Sequence, residues 1–168
     1  MNKLAKKLVF GKNNLGQTCF HIAAAFGYRT ILNHLLEHPD SLFDPDYLIT
    51  DRDNKLNTAF HLACLKNQEK IVRTLLKFNL NFNEKNSDFL SAIDICCKNG
   101  YFELTKLILE QNPLKRSVNI NSDHDNIDHP LKLACESGNA LLLKYLINNG
   151  ANLNFKNRSQ DNVNLLGK

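Results

Sequence analysis

The stretch Asn57-Thr58-Ala59-Phe60-His61-Leu62-Ala63-Cys64 decides the fold, because its core tetrapeptide recurs along the chain. Thr58-Ala59-Phe60-His61 is matched upstream by Thr18-Cys19-Phe20-His21, and downstream by Ser91-Ala92-Ile93-Asp94 and His129-Pro130-Leu131-Lys132. Taking the fourth residue of each copy as a zero, His21, His61, Asp94 and Lys132 stand 40, 33 and 38 residues apart. The basic unit is therefore 33 residues, with 7 and 5 extra in the first and third gaps.

The register organises the rest of each unit. Six residues past the zero stand Gly27, Asn67, Gly100 and Gly138, the residue types that tolerate the left-handed conformation ending a helix. Ten past it come Ile31, Ile71, Leu104 and Leu142. Fourteen past it come Leu35, Leu75, Ile108 and Leu146, followed by Leu36, Leu76, Leu109 and Ile147. A step of four between apolar rows is one face of an α-helix. Eighteen past the zero, Pro39, Asn79, Asn112 and Gly150 read as a second helix stop. Each unit thus reads as a short helix, a tight turn, a longer helix and a loop. Neither helix buries its apolar face alone, and stacking the units gives one continuous core.

Thr58-Ala59-Phe60-His61-Leu62-Ala63 and Gly150-Ala151-Asn152-Leu153-Asn154 resemble the helix start and the closing loop of the ankyrin repeat. The resemblance implies an all-α solenoid of helix-turn-helix units, with loops projecting as hairpin fingers. It covers residues 13–157 as four repeats, at about 13–50, 51–85, 86–123 and 124–157. Residues 1–12, with Leu4, Leu8 and Val9, read as an N-terminal capping segment. Residues 158–168, with Val163, Leu165 and Leu166, read as a fifth repeat cut short or a C-terminal cap. In the extra residues of the first gap, Asp40, Asp44, Pro45 and Asp46 fit turn chemistry.

Composition sets the class of partner. With 43% apolar and 23% charged residues the chain is an ordinary globular protein. A net charge of +4 is only mildly basic, and Lys3, Lys6 and Lys7 make too short a run for nucleic-acid binding. No 18-residue apolar stretch exists, and no apolar core or small-residue cleavage site marks residues 3–10 as a secretory signal. Five cysteines without C-x-x-C spacing argue against disulfides and against zinc, and favour an intracellular setting, cytoplasmic or nuclear. For a viral or bacterial effector that setting is the host cytoplasm.

Candidate reactive side chains fall on structural positions. Cys64, Cys97 and Cys135 stand three past the zero and Cys96 two past it, where ankyrin repeats carry alanine. Cys19 takes a proline position. Free cysteine serves there as a small buried residue. His21 and His61 share a position whose histidine, by the resemblance, fixes the finger onto the helix. His124 and His129 with Asp123, Asp125 and Asp128 offer ligand types in no metal-loop spacing. No phosphate loop, nucleophile elbow or H-E-x-x-H is present, so no enzyme, cofactor or metal is expected. Glu37, Arg73, Lys77, Lys106, Glu110 and Lys144 form the solvated side of the second helices.

The departures from the repeat rule locate the expected docking surface. Five residues before the zero, where the family most often has glycine at the finger turn, stand Gly16, Leu56, Phe89 and Ile127. Bulky residues suit φ > 0 poorly, so a different turn is expected there. Leu56, Phe89 and Ile127 either line the fingers as an exposed apolar row or tuck against the neighbouring finger. The groove beside them is expected to carry Ala25 and Phe26, Leu65 and Lys66, Lys98 and Asn99, and Glu136 and Ser137. Phe26, Leu65, Lys66 and Lys98 suit a protein partner with an apolar anchor and an acidic segment, held by a monomeric array.

Alternatives remain open. Asn57 to Cys64 is similar to the helix starts of IκB- and Cactus-type inhibitors, which implies an NF-κB-type partner. The short fifth unit also suits an ankyrin fragment of a larger channel or effector. Asn83 and Asn154, each eight residues past a leucine (Leu75 and Leu146), have the spacing of ankyrin asparagine hydroxylation. Asparagine at such a place also serves the turn by bonding its own backbone.

Overall fold

The computed structural model describes residues 10–37, 44–110, 118, 120, 121 and 130–153. Within them the chain forms α1 (Cys19–Phe26), α2 (Arg29–Leu36), α3 (Pro45–Thr50), α4 (Ala59–Leu65), α5 (Glu69–Leu75), α6 (Ala92–Lys98), α7 (Phe102–Glu110), α8 (Pro130–Glu136) and α9 (Ala140–Asn148). No strand occurs among the described residues. The first helices α1, α4, α6 and α8 pack in chain order as one row. The second helices α2, α5, α7 and α9 pack behind them as another. The core lies between the two rows.

Three of the first helices start at a residue in extended conformation: Thr18, Thr58 and Ser91 are N-caps of α1, α4 and α6, each in a capping box with His21, His61 or Asp94. Each such helix stops at the left-handed row read from the register: Gly27, Asn67, Gly100 and Gly138 have φ of 76°, 53°, 68° and 72°. Gly150, after α9, is also left-handed at 87°. Pro39 and Asn112 lie outside the described residues, and Asn79 simply follows the end of α5.

The core holds the expected aliphatic rows. Ile71, Leu75, Leu104, Ile108, Leu142 and Leu146 are completely buried or nearly so. Burying one such side chain stabilises by about 1.5–3 kcal/mol. Cys64, Cys96 and Cys97 are buried among them, while Cys19 and Cys135 are half-buried.

Two readings need correction. Ile31 is not in the core: it is 50% exposed, and its neighbour Leu32 is buried with Leu35 and Leu36 of α2. The cause is position along the stack, since in the later units this row faces the preceding unit. Asp44, Pro45 and Asp46 do not make a simple turn. Asp44 accepts a hydrogen bond from the Asp46 amide at 3.0 Å as the N-cap of α3, with Pro45 in its first turn. Leu48 and Ile49 of α3 are buried, so part of the insertion joins the core.

The second helices exceed the first in length only in the later units. α5 matches α4 at 7 residues, whereas α7 and α9 have 9.

Candidate functional site: the finger tips and the finger side of the first helices

Three fingers share one construction. The side-chain oxygen of Asn13 accepts from the amides of Leu15 and Gln17, both at 2.9 Å. Asp53 accepts from Lys55 at 2.9 Å and Asn57 at 2.8 Å, and Asn86 accepts from Asp88 and Leu90 at 3.0 Å. The backbone closes each turn: Gly16, Leu56 and Phe89 donate their amides to the carbonyls of Asn13, Asp53 and Asn86 at 2.8, 2.9 and 3.0 Å. These side chains hold the turn as a backbone partner would. They stand eight residues before the zero, a row of Asn and Asp visible in the sequence itself.

The fingers are also tied to one another. The Asn54 amide donates to Leu15 O at 3.0 Å, and the Ser87 amide to Lys55 O at 2.9 Å. The buried Asn86 amide group donates to Asn57 Oδ1 at 2.9 Å.

This construction overturns the expected change of turn. Leu56 and Phe89 keep the left-handed turn of Gly16, with φ of 58° and 59° beside 73°. The Asx oxygens and the closing amide hydrogen bonds hold the turn in this form, with the bulky residues in the left-handed region. Their side chains are not buried in return: Leu56 is 46% and Phe89 62% exposed, and Leu15 on the first finger is exposed too. Left-handed backbone costs a side-chain-bearing residue roughly 1–2 kcal/mol. Ile127, the fourth of the row, lies outside the described residues.

On the first helices, Phe26 is 63% exposed and stacks on Tyr28, with centroids 5.9 Å apart and planes 19° apart. Leu65, Lys66 and Lys98 are also exposed. Lys55, Lys66 and Lys98 have no ion-pair partner among the described residues, unlike Lys12 with Asp51 or Lys85 with Asp94. Phe26 and Leu65 thus expose apolar groups beside the exposed Lys66 and Lys98.

The histidines belong to the scaffold. In His21, Nδ1 accepts from the Thr18 amide at 3.4 Å and meets Thr18 Oγ1 at 2.9 Å, while Nε2 meets the Asp51 carbonyl at 3.2 Å. In His61, Nδ1 takes the Thr58 amide at 3.2 Å and hydroxyl at 2.8 Å, and Nε2 meets the Glu84 carbonyl at 3.1 Å. One tautomer, neutral with the proton on Nε2, satisfies all of these. Each ring clasps its own helix start to the linker leading into the next unit.

Asp94 reproduces only half of this. Its Oδ2 accepts from the Ser91 amide at 2.8 Å and hydroxyl at 2.7 Å and pairs with Lys85, but its buried Oδ1 has no partner. Lys132 lies 3.7 Å from Glu136, on its own helix.

Burial holds both histidine pKa values below 6.5. The unfolded chain, titrating near 6.5, takes up protons that the folded array refuses. The stability this contributes is therefore complete above pH 6.5 and is lost as pH falls from there toward the lowered folded values. Urea midpoints measured across this window are expected to be flat above it and to fall below it. In His61→Gln the fall is expected to be shallower, although the variant starts from a lower stability.

The thiols are inert where they are buried. Burial raises the Cys96 pKa well above its ordinary value and pushes Cys97 up to about 12. Among the described residues no cluster of His, Cys, Asp or Glu is arranged to hold a metal ion. His124, His129 and their neighbouring aspartates lie outside the described residues.

The comparisons with known proteins agree with this construction. A family model for ankyrin repeats, in three copies, matches residues 1–88, and a single ankyrin-repeat model matches residues 126–158. The chain belongs to the ankyrin-repeat family. Ankyrin repeats are generally protein–protein interaction modules. The chain is 28% identical over 131 residues to the human transient receptor potential cation channel subfamily A member 1, a match covering 78% of this chain and 11% of the channel. It is 27% identical over 108 residues to the Drosophila melanogaster ankyrin repeat and KH domain-containing protein mask, covering 62% of this chain and 3% of that protein. It is 24% identical over 102 residues to the Caenorhabditis elegans protein mask-1, covering 61% and 4%. The matched part is thus a small fraction of each of these relatives.

The stretch that resembles IκB-type helix starts is buried throughout, from Asn57 to Cys64. Its residues build the capping box and the core, so they say nothing about a partner. No helix among the described residues is long and apolar enough to cross a membrane. Asn83 is exposed, and Asn154 lies outside the described residues.

Proposed function

We propose that this protein is a non-enzymatic interaction module that holds a partner protein across the finger tips and the exposed side of its first helices. The observation that carries the reading is the exposure of Leu56 and Phe89 on left-handed backbone. A side chain that costs the fold energy and stays out of the core points to a use outside the fold. An apolar row rimmed by polar groups suits a macromolecular contact.

Charge and shape narrow the partner. Lys55, Lys66 and Lys98 offer positive charge with no ion-pair partner among the described residues, whereas Asp88 is an exposed acid on the same row of fingers. Phe26, Leu65, Leu56 and Phe89 supply apolar anchors. A segment with acidic residues flanking a few large apolar ones would meet both. Ile127 continues the tip row by register.

The test is the triple variant Phe26→Ala/Lys66→Glu/Lys98→Glu, used as bait beside the unaltered array. All three side chains are exposed, so the melting temperature should stay within about 2 °C, as for surface changes. Recovery of the partner should fall by about tenfold or more, since anchors and reversed charges each contribute about 1 kcal/mol or more. Equal recovery by bait and variant would remove this surface from consideration.

A further inference from the structure

The joint between the second and third units holds two thiols in contact. Cys64 of α4 and Cys96 of α6 are both completely buried, and the Cys96 thiol donates a hydrogen bond to Cys64 Sγ. The two stand at different places in the register. Cys64 is three past the zero of its unit, and Cys96 is two past the zero of its own. The contact therefore joins the third position of one unit to the second position of the next.

The same register shows what the other joints carry at these places. Between the first and second units they hold Ala24 and Ala63, and between the third and fourth they hold Cys97 and Ala134, all buried. Of these three joints, the second has a thiol on both sides, so two departures from alanine meet at one contact. Cys97 is engaged within its own unit, where its side chain is hydrogen-bonded to Thr105.

Packing requires no more than a small residue at each place, and alanine meets that requirement at the first joint. A facing pair of thiols adds a chemistry that alanine lacks. Alanine at both equivalent places also means that the helix backbones come close, as a disulfide demands of its α-carbons (within about 7 Å). The product suits the site. A disulfide is neutral and leaves no polar hydrogen unpaired, whereas a monovalent soft cation between two thiolates would leave net charge in an apolar core.

We infer that Cys64 and Cys96 are a reversible disulfide site that locks the second unit to the third under oxidising conditions. For this pair the inference replaces the expectation, drawn from cysteine spacing, that no disulfide forms. It does not rest on the docking surface, although the locked units are those that carry Leu56 and Phe89. Both sulfurs are enclosed in the closed array, so the reaction runs through local opening of the joint. The oxidant is a peroxide. One sulfur, its proton lost to water, attacks a peroxide oxygen; the O–O bond breaks, hydroxide leaves and a sulfenic acid forms. When the joint recloses, the second sulfur attacks the first. The S–S bond forms, the S–O bond breaks, and the hydroxyl leaves as water with the proton of the second thiol. Two thiols and one peroxide thus give one disulfide and two waters. A small thiol reverses the link by exchange.

Hydrogen peroxide treatment of the full chain, followed by alkylation of the remaining thiols, proteolysis and mass spectrometry, tests the site. The expected product is one intramolecular link between the peptides of Cys64 and Cys96, in a chain lighter by two hydrogens. The oxidised chain should unfold at a higher urea concentration than the reduced one, because the link closes a loop in the unfolded state. Dithiothreitol should restore the original midpoint. Cys64→Ala and Cys96→Ala introduce the residue that the first joint already carries at those places, so both should fold and neither should form the link. Cys97→Ala should form it as the unaltered chain does. Thiols at Cys64 and Cys96 that stay reduced, in peroxide that oxidises glutathione in a parallel sample, overturn the inference. So do links through Cys19, Cys97 or Cys135 in its place, or a Cys64–Cys96 link that lowers the urea midpoint.

Discussion

Replacing Leu56 and Phe89 together by glycine is expected to make the array more stable and a poorer binder. The strain of left-handed backbone, roughly 1–2 kcal/mol at each site, is released. Part of that gain is offset because glycine adds about 0.5–1 kcal/mol of unfolded-chain entropy per site. The net expectation is a gain of about 1–2 kcal/mol for the pair, or about 2–8 °C in melting temperature for a chain of this size. Nothing is lost from the core, because neither side chain is part of it. Partner recovery should fall by about tenfold, as for the loss of two apolar anchors. Chemical denaturation and quantitative capture on the same preparations check the two signs. A variant that is destabilised would show that these side chains support the fingers instead, by packing along the row.

His61→Ala should produce the largest loss of stability of any polar substitution in the described core. It removes the acceptor of the buried Thr58 amide and hydroxyl and the group that meets the Glu84 carbonyl, and it empties a fully enclosed ring site. Stranded buried polar groups cost about 1–3 kcal/mol and the lost packing adds to this, so about 3 kcal/mol is expected. The loss concerns the joint between the second and third units, because the ring reaches from the start of α4 to the linker before α6. Urea denaturation reads the magnitude, and a loss under about 1 kcal/mol would mean that the clasp carries little. Asp94→Ala should cost less. Lys85, its charged partner, is partly exposed and can be hydrated, and among the described residues Asp94 makes no bond to a following unit that could be lost.

What could be read in the sequence was what the repeat register repeats. The left-handed Gly27, Asn67, Gly100 and Gly138 row, the small buried cysteines at Cys64, Cys96 and Cys97, and the histidine clasps all recur at fixed distances from the zero. Recurrence exposes a shared physical demand. The finger turn is not legible from the tip residue alone. Leu56 and Phe89 argue against φ > 0 on their own, but the Asx oxygens of Asp53 and Asn86 dictate it from three residues upstream. Ile31 was misplaced for a different reason. A register treats all units as equivalent, and the first unit has no predecessor among the described helices to cover that row. The α3 insertion is ambiguous in the sequence, because Asp followed by Pro serves both turn initiation and a helix start. The following Leu48 and Ile49, which are buried, decide between them. Exposure of Phe26 and of the finger tips is a property of packing, and no periodicity could have supplied it.

The central claim is that the finger tips and the exposed side of α1, α4 and α6 form the docking face. Hydrogen exchange of the array, alone and saturated with the partner it retains, tests this most directly. The account predicts slowed exchange at amides 13–17, 53–57 and 86–90 and at the ends of α1, α4 and α6 around Phe26, Lys66 and Lys98, with α2, α5, α7 and α9 unchanged. Protection confined to the outer faces of α2, α5, α7 and α9, with the fingers exchanging as in the free array, would contradict it.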